Sequence, residues 1–335
     1  MSKKRSGAVP TAPAVIEQPS GPTRNLILVR APQLQSLDDF KAIGQRVRQL
    51  APDIAVYIVA HHAEEPAVAE RLASRPTLVF SPIRLGPFQP KRGKVYCGQQ
   101  MSKLEQIERL AAAGVPVPRT AVLTPDLVLD PALWGPLVLF KPVDQRFSSH
   151  GEGIVLKRTE TVRYRPPDDY SEHHPGRHGP MLVQQFIDTG THPSHNRVLT
   201  LFGEAIYSMR MRLNASLPPL DSPDEVLEAA PVAVNAWPRT RMLIHDPDIL
   251  ALAREVYRAV PEVPLQGCDI LREAATGKLF AIEINPGGNT WHFSSDFAKP
   301  MIEESLGTTE PLIDQFDVFE VAARVLIDRT RAEAE

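Results

Sequence analysis

A glutamate sits inside an apolar run late in the chain, where Phe280-Ala281-Ile282-Glu283-Ile284 leads into Asn285-Pro286-Gly287-Gly288. A strand that served only as core would avoid a charge between two isoleucines, because burying an unpaired carboxylate is costly. Just upstream, Gly267-Cys268-Asp269-Ile270-Leu271 reads as a second apolar strand carrying an acid, and residues 273–277 read as the turn between the two. On adjacent antiparallel strands Asp269 and Glu283 can converge on one side, and Asn285, two residues after Glu283, keeps that facing. Two carboxylates and an amide make an oxygen set suited to Mg²⁺, which takes one or two carboxylates together with phosphate oxygens and water. Asp269 alone reads as a strand-end residue, whereas the trio reads as a metal site.

The rest of the chain supplies a frame for such a strand pair. Residues 25–30 (NLILVR) and 53–60 (DIAVYIVA) read as buried strands, separated by a helix carrying Phe40, Ile43, Val47 and Leu50, and a third apolar run follows at 77–80. This rhythm predicts a small open α/β lobe over 25–100. It contains no GxGxxG turn, so no dinucleotide site is assigned to it. Residues 103–113 then read as a helix, stopped by Gly114 and the prolines at 116 and 118.

Strands are expected near 120–123, at 136–141 (PLVLFK), at 153–156 and at 181–187 (MLVQQFI), with 142–152 a polar loop and 158–180 an exposed excursion. The pair 197–201 and 205–211 reads as a hairpin about Phe202-Gly203-Glu204. Residues 213–241 are proline-rich and weakly patterned. Amphipathic helices are expected at 246–260 and 316–328. The fold class is therefore α/β, with α+β character after residue 100: a lobe at 101–190 and another at 191–330.

Length and composition bound the partners. At 335 residues the chain is too long for one small core. A net charge of −3 gives no general surface for nucleic acid or anionic membrane, and no apolar run reaches the ~18 residues that span a bilayer. Residues 1–24 hold Lys3, Lys4 and Arg5 and prolines at 10, 13, 19 and 22, with no apolar stretch of secretory type. They are expected to be a disordered tail, with a transit peptide as the alternative. Two widely spaced cysteines, Cys97 and Cys268, suit a reducing, cytoplasmic setting.

The two strands 267–271 and 280–288 resemble the metal-binding strand pair of ATP-grasp enzymes, in particular the ribosomal-protein glutamate ligases, with D-alanine:D-alanine ligase more distant. Ser102-Lys103-Leu104 with Gly114-Val115-Pro116-Val117-Pro118, and Leu139-Phe140-Lys141-Pro142, resemble that family's two lysine-bearing segments in the same order. The resemblance spans about 102–290 and implies a two-lobed ATP-grasp domain behind the N-terminal lobe.

It further implies that Lys103 and Lys141 bind the phosphates of ATP, Lys serving as a point charge. The loop with Ser149, Gly151 and Gly153 would cover those phosphates, although Asp144-Gln145-Arg146-Phe147 makes its first half bulkier than is common. Gln184 would face the adenine amine, with the backbone at Phe186 and Ile187 pairing with the ring. Asn196 stands where an acid usually contacts the ribose. Asp269, Glu283 and Asn285 would hold Mg²⁺ or Mn²⁺.

Arg197 and Arg210 resemble arginines on the phosphate and acyl-substrate side, and Arg212 shares the facing of Arg210 by strand period; a solvated arginine face is the alternative. Arg210 and Lys141 are the expected catalytic residues. Gly288, Trp291 and His292 follow the metal strand as candidates for substrate recognition, packing under the last helix being an equal reading for Trp291. The histidines at 173, 174, 178, 192 and 195 lack a zinc framework and read as a polar lid.

The activity implied is an ATP- and Mg²⁺-dependent ligation of a small carboxylate, or a peptide, to an amine or thiol through an acyl phosphate. Phosphoryl transfer to a hydroxyl and nucleotide-dependent regulation are the alternatives. Dimers are common in the family, but the sequence shows no patch that marks one.

Overall fold

The computed structural model describes residues 21–61, 75–86, 92–143, 153–232 and 237–334. Three sheets follow one another along the chain. The first is parallel, in the order β2-β1-β3-β4, from β1 Arg24–Arg30, β2 Ile54–Ala60, β3 Thr77–Phe80 and β4 Gly93–Tyr96. Parallel strands need a crossover, supplied between β1 and β2 by α1, Leu37–Leu50, whose N-terminus is capped where Ser36 accepts from the Asp39 amide. The unbroken apolar run of β1 suits burial on both faces: Leu26 and Leu28 join one cluster, and Ile27 and Val29 another.

After α2, Lys103–Ala112, comes an antiparallel sheet in the order β5-β8-β6-β7. Its strands are β5 Thr120–Val122, β6 Leu137–Pro142, β7 Val155–Arg158 and β8 Met181–Gln185. Trp134, Val138, Phe140, Met181 and Val183 pack against one of its faces.

The third sheet, β11-β10-β9-β12-β13, is antiparallel throughout. It is built from β9 Ser194–Leu201, β10 Glu204–Leu213, β11 Arg239–Leu243, β12 Leu265–Arg272 and β13 Leu279–Asn285. Phe202 and Gly203, at φ 50° and 88°, close the β9–β10 hairpin in the left-handed region that a two-residue turn of type I′ uses. A Cβ at Gly203 would also meet the Tyr257 ring at 2.6 Å.

One face of this sheet packs on α3, Pro247–Ala259, through Ile249, Ala253 and Val256 against Val198, Cys268 and Ile270. The other face shares a core with the first sheet. There Leu199, Met209 and Met211 meet Phe40 and Val47 of α1 and Ala322, Ala323 and Leu326 of α5, Val318–Glu333. Helix α4, Lys299–Leu306, borders the same side near β11.

Two departures from the sequence reading matter for the site. The weakly patterned stretch 213–241 runs into the edge strand β11, Arg-Thr-Arg-Met-Leu, where charges alternate in place of apolar residues and the strand signal is lost. The last helix also runs to Glu333, five residues beyond the expected end. No helix among the described residues is long and apolar enough to cross a membrane.

Candidate functional site

A cavity of ≈ 970 Å³ lies between the three sheets. On one wall strand register sets Arg197, Asp269 and Glu283 next to each other. Met209 pairs with Arg197, Arg197 with Asp269, and Asp269 with Glu283, across β10, β9, β12 and β13. Arg197 donates to both oxygens of Asp269, Nε to Oδ1 at 2.8 Å and Nη2 to Oδ2 at 2.7 Å, in the bidentate form that a guanidinium fork favours. Burial would raise the Asp269 carboxyl, but Arg197, His195 and Asn285 together outweigh it and hold it below the usual carboxylate range. Burial likewise opposes the Arg197 charge, and Asp269 more than restores it.

Asn285 Nδ2 donates to Asp269 Oδ2 and to Gly267 O, each at 3.2 Å, so its Oδ1 is the oxygen it has for a cation. Glu283 lies 4.0 Å from Lys103 Nζ. Glu283 and Asn285 Oδ1, with the remaining lone pairs of Asp269, form a hard oxygen set that fits Mg²⁺ or Mn²⁺. Among the described residues no cluster of three or more His, Cys, Asp and Glu side chains is arranged to hold a metal, and the set at Glu283 adds an amide oxygen to two carboxylates.

At the end of the cavity facing the second sheet, Lys141 is buried at the close of β6, and its Nζ donates to Gln184 Oε1 at 2.9 Å. Burial, reinforced by Lys103 and opposed by Glu283, lowers the Lys141 ammonium to about 8. Lys103, which the sequence places on an exposed-looking helix, is the buried first residue of α2. Gln184 Nε2 donates to Thr120 Oγ1 at 2.8 Å, so both ends of its amide are engaged. Its carbonyl, expected to face the adenine amine, accepts from Lys141, and the residue lines the cavity. Phe186 and Ile187 line the cavity just after β8, the Phe186 amide donating to Leu137 O at 3.3 Å. Ser149 and Gly151 lie outside the described residues, while Gly153 is exposed at φ 71°.

Arg210, expected beside Arg197, is on the other face of the sheet. A two-residue turn with uninterrupted register would set Arg197 opposite Ser208 and turn Arg210 and Arg212 to the cavity. A bulge between Ala205 and Tyr207 shifts the register by one, so Arg197 pairs with Met209 and Arg210 with Asn196. One residue of slip exchanges the faces of everything beyond it. Arg210 Nε donates to Asn196 Oδ1 at 3.1 Å, and Asn196 Nδ2 donates to Ile270 O, so Asn196, expected at the ribose, is buried in this pairing and does not line the cavity. Arg212 is exposed.

The same slip turns two unanticipated arginines inward. Arg241 pairs with Met211 and Arg239 with Leu213, so both share the Arg197 face, and both line the cavity. Alternate arginines at 239 and 241 were the signal, obscured by the surrounding prolines. His195, read as part of a lid, is also on this wall, with its Nε2 buried, lacking a hydrogen-bond partner and 3.7 Å from Asp269 Oδ1. Burial, opposed by Asp269 and aided by Arg197, brings its imidazole down to about 4.

Of the candidates after Asn285, Trp291 is fully buried. Its Nε1–H donates to Asp39 Oδ2 at 2.7 Å, Ser294 Oγ donates to the same oxygen, and its ring packs on Phe40 and Phe293. Trp291 therefore packs as core and ties this loop to α1. Gly288 lines the cavity where a Cβ would meet Gln35 Nε2 at 2.5 Å.

His292 lines the cavity with its ring stacked on Tyr207. Tyr207 OH donates to Thr290 O at 3.0 Å and lies 3.1 Å from His292 Nδ1. A phenol has one proton and a carbonyl only accepts, so Nδ1 carries the hydrogen toward Tyr207 and Nε2 is left as an acceptor. Burial, then Arg197 and Arg241, push this imidazole down to about 3 and keep it neutral.

No protein-family model matches the sequence, and no curated protein matches it either. Among solved structures, the chain is similar to the ATP-grasp ligase PsnB complexed with a phosphomimetic variant of its minimal precursor, Mg and ADP, at 14% identity over 91% of this chain and 98% of that one, with a TM-score of 0.49. The macrocyclase MdnC bound with precursor peptide MdnA from Microcystis aeruginosa is 10% identical over 91% and 99%, with a TM-score of 0.47. D-alanine–D-alanine ligase from Bacillus anthracis is 12% identical over 92% and 97%, with a TM-score of 0.42.

Proposed function

We propose that the chain is an ATP-dependent ligase that activates a carboxylate as an acyl phosphate and joins it to an amine or thiol, with release of ADP and phosphate. The observation that carries this reading is the meeting of Lys103, Lys141 and Glu283 in one cavity, with Arg197 on the Asp269 carboxylate beside them on the neighbouring strands. Cations for phosphates, oxygens for a divalent ion and a guanidinium for a carboxylate thus share one space. Transfer of a phosphoryl group to a carboxylate needs charge stabilisation at these places and no covalent nucleophile on the protein.

Lys103 and Lys141 would bind the phosphates, Gln184 keeping Lys141 extended, and the backbone at Ile187 would border the base. Glu283 and Asn285 would hold Mg²⁺, which when bound neutralises phosphate charge and aligns the phosphate oxygens. Arg197, fixed in direction by Asp269, would bind the carboxylate and the oxyanion formed when the nucleophile attacks. Arg210 has no part in this scheme.

The test is a screen of small carboxylates and amino acids for ADP release with hydroxylamine present. The expected result is ADP with an equal amount of hydroxamate, and loss of both in Glu283→Gln with the fold retained by circular dichroism. ADP without hydroxamate would indicate phosphoryl transfer to a hydroxyl instead. Full turnover by Glu283→Gln would remove the metal assignment.

A further inference from the structure

We propose that the wall formed by β9, β10 and β11 is a subsite for a dicarboxylate, so that the substrate carries a second carboxylate beside the one that is activated. Its role in catalysis rests on the ligase reading; its binding does not. Arg239 and Arg241 lie two residues apart on β11, a backbone separation of about 6.8 Å, and Arg197, two strands away and in register with Leu243, lies about 12 Å from Arg241 and about 17 Å from Arg239 along the sheet. Three guanidinium groups spread in this way match separated anionic groups better than the clustered oxygens of one phosphate.

Charge balance points the same way. Among the described residues that line the cavity, six basic side chains face two acidic ones, Asp269 and Glu283. Mg²⁺-bound ATP brings a net charge of about −2, which leaves an excess of roughly two positive charges. On the arginine wall, Asp269 already has both oxygens on Arg197.

The wall is also built for a ligand. Arg241 Nη1 is held by Ser305 Oγ at 2.9 Å and Met301 O at 3.2 Å, both from α4, so the guanidinium is fixed before anything binds. Burial and neighbouring guanidinium groups, Arg197 beside Arg239 and Arg239 beside Arg241, hold both below the usual arginine range against the partial offset of Glu304, a cost that an added anion relieves. Buried His195 Nε2, which has no hydrogen-bond partner, sits on the same wall.

The experiment is calorimetric titration of the full chain, without nucleotide, using succinate, glutarate and adipate, against butyrate as a single carboxylate and butyl phosphate as a dianion in one group. The best dicarboxylate is expected to bind at least about tenfold more tightly than either control. Arg239→Gln and Arg241→Gln should each bring it to the butyrate level, while Arg212→Gln, on the exposed opposite face, should bind it as wild type does. Thermal midpoints within a few degrees of wild type show that the variants fold. Equal binding of butyrate, stronger binding of butyl phosphate, or full dicarboxylate affinity in both arginine variants would overturn the subsite. Tight dicarboxylate binding with no ADP release would instead keep the subsite and overturn the ligase reading.

Discussion

Lys141 combines burial with a role at phosphates, and its protonation should follow nucleotide binding. With its ammonium lowered to about 8, the free protein loses this charge as pH rises through that value. A bound polyphosphate favours the charged form, so binding at pH 8.5 should take up protons, and affinity should fall as pH rises from 7 to 9. Calorimetry in buffers of different ionisation enthalpy measures the uptake, which Lys141→Met should abolish.

His292 makes the opposite prediction. Burial, reinforced by Arg197 and Arg241, keeps it neutral, so it should show no titration between pH 5 and 9 by nitrogen-15 NMR, with Nδ1 as the protonated nitrogen. Lys141, Asp269 and Glu283 were legible in the sequence for one reason: each is a charge in or at the end of an apolar run, where burial demands a partner. The locked tautomer of His292 was not, because it depends on Tyr207, 85 residues away in sequence.

At the scale of elements, the β9–β10 hairpin decides which arginines meet the substrate. Alternation along β10 is readable from sequence, but the bulge before Tyr207 is not, since Ala205 to Met209 are all buried, Ser208 included, and no alternation of exposed and buried positions marks the slip. Arg210→Gln should therefore retain turnover within about threefold of wild type, whereas Arg197→Gln should lose on the order of 100-fold in kcat/KM, as removal of a donor to a developing oxyanion does. Steady-state kinetics on the substrate found by ADP release separates the two, and a large loss in Arg210→Gln would contradict the register.

The loop after β13 is an element of the same kind. Its Trp291 reads from sequence equally as a recognition residue or as packing under the last helix, and it is secured by Asp39, 252 residues away on α1. Asp39→Ala leaves the indole N–H buried without its acceptor and should cost about 1–3 kcal/mol of stability, read from the urea midpoint.

Across the whole molecule, the first and third sheets share one core through α1 and α5, which fixes the arginine wall relative to the N-terminal lobe. The end of α5 is tied down by Glu333, which accepts from Lys94 Nζ at 2.8 Å, from Tyr96 OH and from Arg329. Burial opposes its charge, but these donors lower the Glu333 carboxyl to about 2. A depressed carboxylate contributes stability that is full above its unfolded value near 4.5 and is lost as pH falls through about 2. The thermal midpoint should drop over that window, and less steeply in Glu333→Gln. Truncating Leu326→Ala in the shared core should cost about 2–5 kcal/mol and lower the stability of both sheets together.

The central claim is that the cavity between these sheets is a nucleotide and metal site facing an arginine wall. Crystals grown with a non-hydrolysable ATP analogue and Mn²⁺ test it most directly through the anomalous signal of the metal. The account predicts a manganese peak in contact with Glu283 and Asn285 Oδ1, with phosphates reaching Lys103 and Lys141. An analogue bound elsewhere, or bound in the cavity with no manganese at Glu283, would contradict it.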